Sequence, residues 1–100
     1  MGKLITVYWR DIPSHIIYKA KSRKFKRQMS PRFAEAIDRA AMRAGKGSSD
    51  AYMADWRRDI KNIESDDPQS IVDHEIEILE TMFSDALLEK TVKSKGIKER

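Results

Sequence analysis

The chain has 100 residues, no cysteine and a formal net charge of +4, with 36% charged and 40% hydrophobic residues. One small domain of this length buries about 60–65% of its unfolded surface, enough for a two-layer fold but not for a deep enclosed reaction chamber as well. The missing cysteines exclude a disulfide framework, thiolate metal sites, iron–sulfur ligation and cysteine nucleophiles.

No run approaches the ~20 apolar residues of a membrane span. The first ten residues lack the small-residue cleavage site of a secretory signal. A cytoplasmic location without membrane contact is therefore expected.

Leu4-Ile5-Thr6-Val7-Tyr8-Trp9 is β-branched and aromatic, which predicts a strand over residues 3–11. Both of its alternating faces are partly apolar, as in a central strand. Ile12-Pro13-Ser14 reads as a turn, and residues 15–23 as a second strand in an antiparallel hairpin. There Ile16, Tyr18 and Ala20 share one face, while Ile17, Lys19, Lys21 and Arg23 share the other. Ser30-Pro31 is a helix start, Phe33, Ile37, Ala41 and Ala44 follow at helical spacing, and Gly45 ends the run. Residues 46–50 read as a loop and 51–60 as a third strand with Tyr52, Ala54 and Trp56 inward. A last helix opens at Pro68 after an Asp66 or Asp67 cap, with Val72, Ile76, Leu79, Phe83 and Ala86 on one face. Ser84-Asp85 is a second cap signal, so a break near residue 84 is expected.

The order β-β-α-β-α predicts an α/β (α+β) two-layer sandwich: a three-stranded, mainly antiparallel sheet with two helices on one face. Residues 1–90 form the single domain in this reading, and 91–100 a basic, flexible tail.

Charge is segregated along the chain. Residues 1–50 hold 12 Lys/Arg against 4 Asp/Glu, and residues 51–100 hold 8 against 12. Lys19, Lys21, Arg23, Lys24, Lys26 and Arg27 form one basic block, while residues 64–89 hold nine carboxylates and no Lys or Arg. Two uses are open. The blocks can complement each other, within the domain or across a dimer. Alternatively, the basic strand binds RNA or single-stranded DNA, with Tyr8 and Phe25 the available stacking rings.

Catalytic chemistry finds little support. His15 and His74 have no metal-ligand spacing, and Glu75, Glu77 and Glu80 sit on a helix with nothing to shift their titration. The glycine-bearing loop at 45–49 precedes a strand-like segment, which is not the context of a phosphate cradle. No catalytic residue, metal or cofactor is therefore expected. Two binding surfaces are. Ile71, Ile78, Met82 and Leu88 lie off the main stripe of the last helix and suggest a flank for a protein partner or a second copy. Arg10, Arg57 and Arg58 sit just past the tryptophans. They either pair with Asp11 and Asp59 across neighbouring strands or form a rim that recognises an anion.

The run Leu4 to Pro13, the helix residues Arg32-Phe33 with Ala36-Ile37-Asp38 and Ala40-Ala41-Met42-Arg43, and Asp50 to Arg57 together resemble the small bacterial "virulence factor" domain family, over roughly residues 3–90. The resemblance implies a short stand-alone protein of the alphaproteobacterial kind. It also implies kinship with a domain that accompanies an iron–sulfur-scaffold-like domain and helical repeats in a staphylococcal virulence-associated protein. Stand-alone relatives tend to accompany one-carbon or corrinoid methyl-transfer genes. No catalytic residues come with the family. The resemblance therefore implies a non-enzymatic accessory or interaction module.

Overall fold

A computed structural model describes residues 2–45, 53–64 and 66–97. Four strands and three helices follow in the order β1 (Lys3–Trp9), β2 (Ile12–Lys19), β3 (Lys24–Gln28), α1 (Pro31–Arg43), β4 (Trp56–Asn62), α2 (Pro68–Met82) and α3 (Asp85–Lys93). The strands form one antiparallel sheet in the order β3-β2-β1-β4. The α+β class and antiparallel sheet match expectation, but the described residues form four strands rather than three and three helices rather than two.

The extra strand is β3. It was hidden because Lys24-Phe25-Lys26-Arg27-Gln28 carries a single apolar residue, Phe25, which packs against the core while its neighbours stay exposed. The expected second strand over 15–23 therefore divides: β2 ends at Lys19, residues 20–23 turn, and the chain returns as β3. The first hairpin is also tighter than the proline suggested. Arg10 adopts the left-handed φ of 53° between Trp9 and Ile12, and both Ile12 and Pro13 are buried in β2. Proline is tolerated in this inner strand because the register shifts there, between Val7 and Tyr8 of β1.

β4 starts at Trp56, five residues later than predicted, and extends to Asn62. Residues 51 and 52, placed in that strand by sequence, lie outside the described residues.

The helices pack on one face of the sheet. Their buried stripes, Phe33, Ala36, Ile37, Ala40 and Ala41 of α1, Val72 and Leu79 of α2, and Leu88 and Val92 of α3, meet Leu4, Ile16 and Tyr18 from the strands. Phe33 and Phe83 meet edge to face, with ring centroids 5.8 Å apart, a contact that contributes about 0.5–1.5 kcal/mol beyond the area it buries.

Capping follows the sequence closely. Asp67 accepts a hydrogen bond from the Ser70 N–H at the start of α2, and Ser84 accepts one from the Leu87 N–H at the start of α3. Ser84 thus divides the predicted long helix in two, and the break resets its phase. Ala86, expected on the core stripe, is exposed, whereas Leu88, expected on the partner flank, is buried in the core. The expected flexible tail does not begin at residue 91. Thr91 and Val92 are buried in α3, and the turn after it seats Gly96 on the Trp9 ring.

At Ser30 the cap is borrowed from another helix. Its side chain makes no capping bond to α1. Glu80 of α2 instead accepts from the Ser30 N–H at 2.8 Å and from its hydroxyl at 2.9 Å, while Arg32 donates to the same carboxylate at 3.1 Å and to the Glu80 carbonyl at 2.9 Å. Partial burial alone would raise the Glu80 pKa, but these bonds from Ser30 and Arg32 outweigh it and hold the carboxyl below its ordinary value.

Candidate functional site

Strand alternation sends every second side chain to the face without helices. The pairing registers arrange that face in rows running from β4 through β1 and β2 to β3. One row is Asn62, Lys3, Lys19, Lys24. The next is Ile60, Ile5, Ile17, Lys26. The third is Arg58, Val7, His15, Gln28. Ile5, Val7 and Ile17 form a small cluster of their own that includes no helix residue, with Trp56 packed at its end.

The grid carries five Lys and Arg side chains and no carboxylate. Among the described residues, none of Lys3, Lys19, Lys24, Lys26 and Arg58 forms an ion pair. Lys19 lies directly opposite both Lys3 and Lys24. Like charges facing each other across strands destabilise a sheet, so this row is not explained by the fold's own stability.

His15 sits within the same field. Burial, reinforced by the charges of Lys26 and Arg58, pushes its pKa below the ordinary histidine value. Beside it a shallow groove of about 400 Å³ is lined by Val7, His15, Met53, Trp56, Arg57 and Arg58. Met53 and Ile60 are more than half exposed, at 64% and 54%.

On the helical side four cations are partnered. Arg27 meets Asp73, Lys61 meets Glu75 at 3.7 Å, Arg32 meets Glu80 at 3.1 Å and Asp85 at 3.0 Å, and Arg39 meets Glu89 at 2.9 Å. The acidic segment thus neutralises basic residues of its own domain there, as complementary blocks require.

The basic block named from sequence is therefore dispersed. Lys19, Lys24 and Lys26 are on the helix-free face, Lys21 and Arg23 lie in the β2–β3 turn, and Arg27 is on the helical side. Tyr8 and Phe25 also point to the helical side: Arg57 lies over the Tyr8 ring at 4.3 Å, and Phe25 packs against the main core.

The arginine rim divides similarly. Arg10 reaches Asp55 at 3.3 Å and donates to the Lys95 carbonyl at 2.8 Å. Arg57 reaches Asp11 at 3.3 Å and donates to the Arg10 carbonyl at 2.9 Å. These two guanidiniums lock the β1–β2 hairpin to β4 and to the turn after α3. Arg58 is on the opposite sheet face, in the grid. Of the predicted partner flank, Ile78 and Met82 are exposed, Ile71 is half-buried against the core and Leu88 is inside it.

The sequence reading missed Lys3, His15, Trp56 and Ile60 as members of one surface. The signal was present in the doubly apolar alternation of β1, but the grid appears only once β4 is known to pair with β1 on its far side.

The model of the virulence factor family matches residues 7–92. The chain belongs to that family. No curated protein and no solved structure matches it significantly. The virulence factor match runs from the middle of β1 to the end of α3, so it takes in the third row of the grid, the rim and all three helices. Among the described residues no helix is long and apolar enough to cross a membrane, and no cluster of His, Asp and Glu is arranged to hold a metal ion.

Proposed function

We propose that this virulence factor domain is a non-enzymatic accessory module that docks an acidic partner protein on its helix-free sheet face. One observation carries the reading: among the described residues five cations share the grid of that face with no carboxylate, while Arg27, Arg32, Arg39 and Lys61 of the helical side are paired. Attraction to a complementary surface steers association and sets its orientation. Trp56 and Met53 supply apolar anchors beside the charges. The company that stand-alone relatives keep makes one-carbon and methyl-transfer enzymes the first partners to test.

A second reading, binding of RNA or single-stranded DNA, is favoured by the groove in which Trp56, His15 and Arg58 lie together. It is weaker because Tyr8 and Phe25 are turned away from that face. Sequence-tolerant binding needs stacking rings as well as charge.

Affinity capture from the native host, with the wild-type chain and a Lys26→Glu/Arg58→Glu variant, tests the main reading. The expected result is an acidic protein recovered by the wild type and lost with the variant. Titration with a single-stranded oligonucleotide decides the second. Binding that weakens steeply between low and moderate salt would replace the protein reading with the nucleic-acid one.

A further inference from the structure

Among the described residues β4 ends the sheet, and residues 57–62 of it are all exposed. An edge strand presents unpaired backbone groups that template another strand, unless its side chains prevent it. The other edge, β3, is so protected. Pairing β3 with a second copy of itself sets Lys26 against Lys26, Lys24 against Lys26 or Arg27 against Arg27, depending on register, and like charges directly opposite are destabilising.

β4 behaves differently. Its inward-facing backbone groups are identified by two flanking bonds, from the Arg10 N–H to the Asp55 carbonyl and from the Ile63 N–H to the Gly2 carbonyl. Alternation from these points assigns Arg57, Asp59 and Lys61 to β1 and leaves the N–H and C=O of Arg58, Ile60 and Asn62 facing the free edge.

Antiparallel self-pairing that overlaps five or more residues of β4 can centre on Arg58, Asp59 or Ile60. The first opposes two arginines. The second opposes two aspartates and sets Arg57 against Lys61. The third sets Ile60 against Ile60, Arg58 against Asn62, and Asp59 against Lys61 on both sides of the axis. Only the third opposes no like charges, and it joins opposite ones.

We infer that two copies of this chain pair edge to edge through β4, in a two-fold register centred on Ile60, to form one continuous eight-stranded antiparallel sheet. The two-fold axis is perpendicular to the sheet, so both helix-free faces lie on the same side. The exposed Ile60 side chains meet at its centre. This inference is independent of what docks on those faces.

The chain contains no cysteine, so a single introduced thiol reports one contact. Directly opposite hydrogen-bonded residues have Cα atoms about 5.5 Å apart, within disulfide reach. Residues 62 of the two copies would be about 13 Å apart in this register, beyond it. Under mild oxidation, Ile60→Cys protein should crosslink to itself at least about ten times faster than Asn62→Cys protein, reflecting the effective concentration of paired thiols. Mixing Arg58→Cys with Asn62→Cys protein should give a crosslinked heterodimer in excess of either homodimer. Circular dichroism confirms that each variant is folded. Equal rates for Ile60→Cys and Asn62→Cys overturn the inference. So does a mixture without excess heterodimer, or a dimer in sedimentation that neither thiol experiment captures.

Discussion

The two sides of the sheet use the same residue types in opposite ways. On the helical side, Arg27, Arg32, Arg39 and Lys61 each meet a carboxylate from α2 or α3. On the helix-free side, Lys3, Lys19, Lys24, Lys26 and Arg58 meet none among the described residues, and three of the lysines line up across adjacent strands. Charge that stabilises a fold is found with its counter-charge. Charge that faces its own kind weakens the sheet. A net charge of +4 conceals both arrangements.

The sharpest contrast is in stability. Trp9 is wholly buried, lies under the Arg10 guanidinium at 5.2 Å and carries Gly96 on its ring. Trp9→Ala should cost about 3–5 kcal/mol in denaturant unfolding. A variant that unfolds near the wild-type midpoint would show that the rim does not depend on this ring.

A smaller loss is expected at the borrowed cap. Glu80→Gln leaves the Ser30 and Arg32 donors facing a neutral amide and should cost about 1–3 kcal/mol at neutral pH. The folded-state pKa of Glu80 is lowered, so its contribution is complete above the unfolded value of about 4.3 and disappears as pH falls through the folded one. Stability curves of wild type and variant should therefore converge in acid. Parallel curves would place the carboxylate's effect elsewhere.

Reversing charge on the other side should hardly register in unfolding. Lys26→Glu/Arg58→Glu is expected to shift stability by no more than about 0.5 kcal/mol per site, while abolishing capture of the partner. Loss of fold in that variant would break the contrast between the two faces. The smallest effect is expected from His15. Its lowered pKa means that the unfolded chain takes up the proton first, so stability declines as pH falls below about 6.5 and levels off below the folded value. His15→Gln should remove that part of the pH profile.

Much of the fold was legible because its signals are local. Ser30-Pro31, Gly45, Asp67-Pro68 and Ser84-Asp85 each mark a terminus through their own backbone chemistry, and the helices begin and end at those places. What escaped depends on neighbours distant in sequence. β3 holds one apolar residue and exists because β2 pairs with it. Leu88 was misplaced by carrying the phase of α2 through a break at which Phe83 leaves helical geometry (φ −93°, ψ 86°). Arg58 was grouped with Arg10 and Arg57 by proximity along the chain, yet a single step along β4 places it on the other side of the sheet. The grid itself is a product of strand order, which no single segment encodes.

A photo-crosslinking residue introduced at positions 26, 58 and 78 in turn, and activated in the native host, tests the docking assignment most directly. Adducts with an acidic protein from positions 26 and 58, and none from 78 on the helical side, are the predicted result. Adducts from position 78 alone, or with nucleic acid in place of protein, would contradict it.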